Sequence, residues 1–156
     1  MTFMTNLFRS GLFAAAAAVA LIPAARADDH MIVKESARSV SETIDTLQAA
    51  LEEKGIAIVG RVDHQANAKK AGLELPPTML LIFGNPKLGT PLMQANRRIG
   101  IDLPMKALAW EADGKVYLAY TDPQELKDRH DIDDKDEIFD QMSKALGAFT
   151  DKATAK

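Results

Sequence analysis

The 156-residue chain carries 19 basic and 22 acidic residues, a formal net charge of −3, and 47% of it is hydrophobic. That length holds one domain with one core, and an acidic balance with scattered Lys and Arg argues against a nucleic-acid binder, which needs a basic face. Cysteine is absent, which excludes disulfides, thiol nucleophiles, thiolate metal sites and iron–sulfur clusters.

Residues 1–27 read as a secretory leader. Arg9 stands in an opening segment without acids, an apolar run follows from Leu12 to Ile22, and Pro23 leads to Ala25-Arg26-Ala27. A basic start, a short apolar middle and a small-residue ending are the features of a cleaved signal peptide. The run is too short for a membrane-spanning helix, which needs about twenty apolar residues. Cleavage is expected after Ala27, giving a periplasmic or secreted protein with no membrane attachment. The loss of Arg9 and Arg26 makes the remainder more acidic, with 17 basic against 22 acidic residues.

Met31–Glu35 is a short strand. Ser39 and Glu42 form a capping box for a helix over Val40–Lys54, whose Val40, Ile44, Leu47 and Leu51 make one apolar stripe, ended at Gly55. Ile56–Asp63 alternates as a half-buried strand, and Gln65–Ala71 is a short helix stopped by Gly72. Thr78–Phe83 is apolar on both faces, so it is a central strand or one beneath an interface. Thr90 and Pro91 read as the N-cap and first residue of a helix over Pro91–Ile99, stopped by Gly100. Lys106–Glu111 and Lys115–Tyr120 flank Asp113-Gly114, a hairpin signal. Asp122-Pro123 opens a short helix through Arg129. The stripe of Ile138, Phe139, Met142, Leu146 and Phe149 predicts a helix over Glu137–Phe149, with Thr150–Lys156 as a frayed tail. Two long amphipathic helices and several strands in this order give a two-layer α+β domain over residues 28–150.

Asp63-His64, the block Phe83-Gly84-Asn85-Pro86 with Gly89-Thr90 and Leu92-Met93, and the corner Asp102-Leu103-Pro104 resemble the bacterial and archaeal family known as domain of unknown function 302. The resemblance runs from about Ile32 to Phe149. It implies a β-α-β(4)-α fold with a curved, mainly antiparallel sheet, two long helices on one face, and a homodimer. It implies no reaction.

The restricted turns mark where a site is expected. Gly84, Asn85, Lys87, Gly89 and Thr90 read either as a glycine- and proline-shaped corner that aims Leu92 and Met93 at the core, or as a loop whose helix start at Pro91 attracts a small anion, helped by Lys87. It departs from the nucleotide-binding loop, which ends in Gly-Lys-Ser/Thr. His64, at a strand end, is the best single chemical candidate, with Asp102 as the group that orients it. His30 and His130 rank below it. Arg97-Arg98 read as a carboxylate clamp or, as easily for Arg98, as a solvent-facing residue, and Trp110 and Tyr117 as core aromatics.

Metal and cofactor readings are weaker. Met79, Met93 and Met105 offer thioethers of the kind copper takes, but methionine more often fills core gaps. Asp131–Asp136 lacks the glycine and the glutamate of a calcium loop. No cofactor and no metal is expected. The leading expectation is a small-ligand-binding domain with a cleft edged by His64, Gly84–Thr90 and Asp102. The alternatives are a small enzyme with His64 as general base and a dimeric interaction module.

Overall fold

Residues 30–156 are described by a computed structural model. Strand β1 (Met31–Ser36) leads to helix α1 (Val40–Glu53), and the capping box forms as read. The Ser39 side chain accepts from the Glu42 amide, while Glu42 Oε2 accepts from the Ser39 amide at 3.0 Å. Strand β2 (Ala57–Asp63) runs directly into α2 (His64–Lys70), with the Asp63 carboxylate capping the Ala66 amide at 2.8 Å. Strand β3 (Thr78–Gly84) is followed by α3 (Pro86–Ala95) and a 3-10 turn over Arg97–Ile101. Strands β4 (Met105–Ala112) and β5 (Lys115–Thr121) form the expected hairpin, with Asp113 and Gly114 both at positive φ. Helices α4 (Pro123–Arg129) and α5 (Asp136–Thr154) complete the chain.

The sheet is antiparallel throughout, in the order β1-β5-β4-β3-β2. This is the two-layer α+β architecture the sequence implies. Helices α1 and α5 pack beside each other, and the core lies between them and one sheet face. Ile44, Leu47 and Leu51 of α1 and Phe139 and Leu146 of α5 bury against Leu81, Phe83, Leu118 and Tyr120. Ala107 and Ala109, both fully buried on β4, leave room for the helical side chains above the middle of the sheet. Truncating Phe139 to alanine would cost about 3–5 kcal/mol, because the rigid surroundings cannot collapse into the gap.

Among the described residues, no long helix covers the other face. Residues paired across the strands there form one apolar row from edge to edge: Val33, Ala119, Leu108, Leu80 and Val62. Trp110 and Tyr117, paired on β4 and β5, stack on this face with ring centroids 5.5 Å apart. They are therefore outside the helix-covered core, contrary to the sequence reading. Alternation along β4 puts Ala107 and Ala109 inward, and Trp110 must point the other way.

Two helix boundaries also differ. Helix α3 starts at Pro86 with Asn85 as its cap, so Thr90 and Pro91 lie inside it. Asn-Pro and Thr-Pro carry the same start signal, and the earlier pair takes it. Pro91 then lies inside α3, where it lacks the amide hydrogen bond of its turn and its ring crowds the carbonyl four residues back. Helix α5 extends five residues beyond Phe149, because Thr150 and Ala153 are buried and continue its apolar stripe. The expected frayed tail thus shrinks to its last two residues. The predicted leader lies outside the described residues.

Candidate functional site

A cavity of about 360 Å³ opens between the helical layer and the end of the sheet where β2 begins and β3 finishes. Its walls come from Leu51 near the end of α1, Ile56 just before β2, Phe83 on β3, Met105 on β4, Met142, Leu146 and Phe149 on α5, and Leu88 and Met93 on α3. Leu103 and Pro104 close the remaining side. Nearly every lining group is apolar. The exceptions are the Asn85 side chain and the Thr90 hydroxyl. Ala57, Val59, Pro86, Thr90 and Pro104 line the cavity and are also exposed, which marks them as its rim.

Local sequence explains the shape. Gly84 ends β3 where a Cβ atom would come within 3.3 Å of Pro104 Cβ, so the two segments can approach only because that side chain is missing. At Gly89 there is room for a side chain, since an added Cβ would stand 3.6 Å from Leu103 Cδ1, an ordinary contact distance. The Asn85 carboxamide oxygen accepts from the Lys87 amide at 3.0 Å and fixes the entry into α3. Three methionines, Met93 of α3, Met105 of β4 and Met142 of α5, line the cavity. Flexible thioether side chains let such a lining adapt to its contents.

Of the sequence-predicted site residues, Gly84, Asn85, Gly89 and Thr90 line this cavity, while Lys87 projects into solvent outside it. The anion-binding geometry is not formed. Pro86 has no amide hydrogen, the Lys87 amide is taken by the Asn85 side chain, and the Leu88 and Gly89 amides both donate to the Asn85 carbonyl. The first turn of α3 therefore offers an anion no free donor.

His64 is not part of the cleft. It follows Asp63, which pairs with Met79 at the start of β3, whereas the cavity lies at the Gly84 end, where Gly84 pairs with Ala57. Six strand residues separate the two ends, on the order of 20 Å. His64 and Asp102 therefore do not meet, because Asp102 precedes the β4 residue Met105, which pairs with Phe83.

Asp102 has a different imidazole partner. Its Oδ2 lies 2.6 Å from His130 Nε2, and its Oδ1 accepts from Arg129 Nη1 at 3.2 Å. Arg129 Nη2 also donates to Glu125 Oε1 at 3.3 Å, and Glu125 Oε2 lies 2.7 Å from His30 Nδ1. Partial burial pushes the Asp102 carboxyl up, but the His130 hydrogen bond and the Arg129 charge outweigh it and hold it below the usual carboxylate value. His130 is buried, with its carbonyl accepting from Asn96 Nδ2 at 2.8 Å. The network ties α4 to the corner that walls the cavity, and Asp102 itself is not a lining residue. From sequence His130 ranks below His64. Its one local signal is its place as the residue ending a capped helix.

Among the described residues, no three His, Asp or Glu side chains stand together in a way that could hold a metal ion. Met79 turns its sulfur to Arg61, whose Nε donates to it at 2.8 Å, and is not among the cavity methionines.

The chain is similar to two proteins named fluoride-specific ion channel FluC 1, from Brucella suis and Brucella abortus. Each is 52% identical over 106 residues, 67% of this chain. That stretch is 42% of the first protein and 39% of the second, so this chain spans about two fifths of the curated relatives it matches. The fold is similar to the crystal structure of an uncharacterized conserved DUF302 protein from Bacillus stearothermophilus. The TM-score is 0.72 at 21% identity, over 80% of this chain and 98% of that one. The model of the family described as domain of unknown function DUF302 matches residues 32–149, almost the whole of the fold just described, and the chain belongs to that family.

Proposed function

We propose that this protein is a binding domain for a small lipophilic molecule, held in the cavity between α3, α5 and the sheet end. The observation that carries the reading is a cavity of about 360 Å³ with almost wholly apolar walls. A 150 Å³ apolar cavity accommodates benzene, so this one suits a ligand of roughly a dozen heavy atoms. The Asn85 and Thr90 side chains give such a ligand its polar contact. Thermal unfolding with medium-chain alcohols and fatty acids, against inorganic phosphate and divalent metals, tests this. Saturating lipophile should raise Tm by about 10 °C. Stabilisation by phosphate alone would refute it.

Export belongs to the same reading, through the leader expected before Asp28. The channel activity in the relatives' names is not carried over to this chain, which matches two fifths of their length. A catalytic role for His64 with Asp102 loses its basis, since the two residues lie at opposite ends of the sheet.

The open sheet face favours a second, compatible reading, a homodimer formed face to face. Five strands at about 4.8 Å spacing and six residues at about 3.3 Å give a footprint near 500 Å². A pleated face buries more than its footprint, which approaches the ~800 Å² per partner of a standard interface. The stacked Trp110–Tyr117 pair would be its anchor. Sedimentation equilibrium should show a dimer that Leu108→Glu converts to monomer. A wild-type monomer at high concentration would remove this reading.

A further inference from the structure

The segment from Gly84 to Lys106 differs in charge from the rest of the chain. It contains Lys87, Arg97, Arg98 and Lys106 against the single acid Asp102, within a protein of net charge −3. That acid is already engaged by Arg129 and His130. Among the described residues, Lys87, Arg97 and Arg98 form no ion pair and are all exposed. The same segment carries Ile101, 82% exposed, the most exposed large hydrophobic among the described residues. Its neighbour Ile99 is fully buried, so the 3-10 turn presents one isoleucine inward and one to solvent.

The segment borders the cavity: α3 and the Leu103–Met105 stretch line it, while Lys87, Arg97, Arg98 and Ile101 stand outside. Lys87 follows the rim residue Pro86, and Ile101 stands three positions before the rim residue Pro104. Met93, on the inner side of α3, lines the cavity and packs its sulfur 3.5 Å from the Cβ position of Gly100. Arg98 and Ile101, three apart on the 3-10 turn, stand one above the other, and exposed cations with an exposed aliphatic side chain are what an anionic lipid surface attracts and partly buries.

We infer that the cap formed by α3 and the 3-10 turn docks on an anionic lipid surface, with Ile101 entering the headgroup layer and Lys87, Arg97 and Arg98 facing lipid phosphates. This rests on the cavity reading in one respect: the docked surface is the source from which a lipophilic ligand enters past the rim. An acidic protein would meet the same charges. The exposed aliphatic tip and the apolar opening beside it favour lipid, because a hydrocarbon layer satisfies both at once.

The test is flotation of the purified chain with vesicles of phosphatidylcholine alone or mixed with phosphatidylglycerol, at low and high salt. Binding is expected to the mixed vesicles only and to be lost at high salt, where the screening length falls to a few ångströms. Each lipid-facing cation contributes roughly a factor of five. Arg97→Gln/Arg98→Gln/Ile101→Ser should therefore weaken partitioning by more than about 25-fold. Lys69→Gln/Lys70→Gln, which removes two exposed charges from α2 at the other end of the sheet, should not. All these residues are exposed, and the circular dichroism of both variants should match wild type. Equal binding to neutral vesicles, equal loss in both variants, or no flotation would overturn the proposal. Retention on immobilised polyglutamate without flotation would overturn it in favour of an acidic protein partner. Binding of N-phenyl-1-naphthylamine in vesicle-free solution separates the two readings. If the probe binds and flotation fails, the docking surface falls alone; if the probe fails to bind, ligand delivery falls with the cavity.

Discussion

His130 Nε2 and Asp102 Oδ2 stand 2.6 Å apart, joining the end of α4 to the corner from which Leu103 and Pro104 wall the cavity. His130 is 6% exposed, so removing its partner leaves a buried polar group that water reaches poorly. Asp102→Ala should cost about 1–3 kcal/mol, and urea unfolding followed by Trp110 fluorescence measures it. Asp102→Asn should cost less, since the amide keeps one hydrogen bond and loses the charge.

The same pair sets an acid limit. The Asp102 carboxyl is held below its ordinary value of 3.8 by His130 and Arg129, against the opposing effect of burial. A carboxyl lowered in the folded state contributes stability fully above its unfolded pKa and loses it as pH falls through the folded one. This contribution should therefore be fully present above the ordinary carboxyl value and be lost progressively as pH falls below about 4, through the lowered folded-state value. Acid titration of wild type against Asp102→Asn checks it: the two stabilities should converge below pH 4. A constant difference down to pH 2 would exclude the pair as its source.

Two glycines make a paired prediction of opposite sign. At Gly84 an added Cβ meets Pro104 Cβ at 3.3 Å, tighter than ordinary packing. Gly84→Ala should destabilise by about 1 kcal/mol through overpacking at the cavity wall. Gly147 sits within α5 and nothing lies within 4 Å of its Cβ position. Gly147→Ala should stabilise by about 0.5–1 kcal/mol, through restriction of the unfolded chain. Differential scanning calorimetry of both variants reads the two signs together.

Most of the fold was legible because local signals agreed with the tertiary demand. The Ser39–Glu42 box, the Asp113-Gly114 turn and the apolar stripes of α1 and α5 each specify an element without reference to distant residues. The site was legible only in part. The Gly84–Thr90 block does wall the cavity, but through the missing side chain of Gly84 and apolar contact, and not as an anion loop. Asn85-Pro86 and Thr90-Pro91 compete for one helix start, and sequence alone does not say which wins. The position of His64 depended on strand register: antiparallel pairing of β2 with β3 puts Asp63 opposite Met79 and sends the imidazole away from Gly84. The Asp102–His130 bond links residues 28 apart, with no periodicity or motif to announce it. Trp110 was misread because both faces of the hairpin are apolar, and only the helical layer decides which one is covered.

The central claim is that the cavity takes a lipophile, and one comparison tests it most directly. Ala145 lines the cavity from the partly exposed side of α5, so Ala145→Phe should fill it without disturbing the core. Fluorescence titration with N-phenyl-1-naphthylamine should show saturable binding to wild type at one site per chain, with Kd on the order of 10 μM. In Ala145→Phe the binding should weaken at least about tenfold while Tm stays within a few degrees. Equal binding to both proteins, or no saturable binding to wild type, would contradict it.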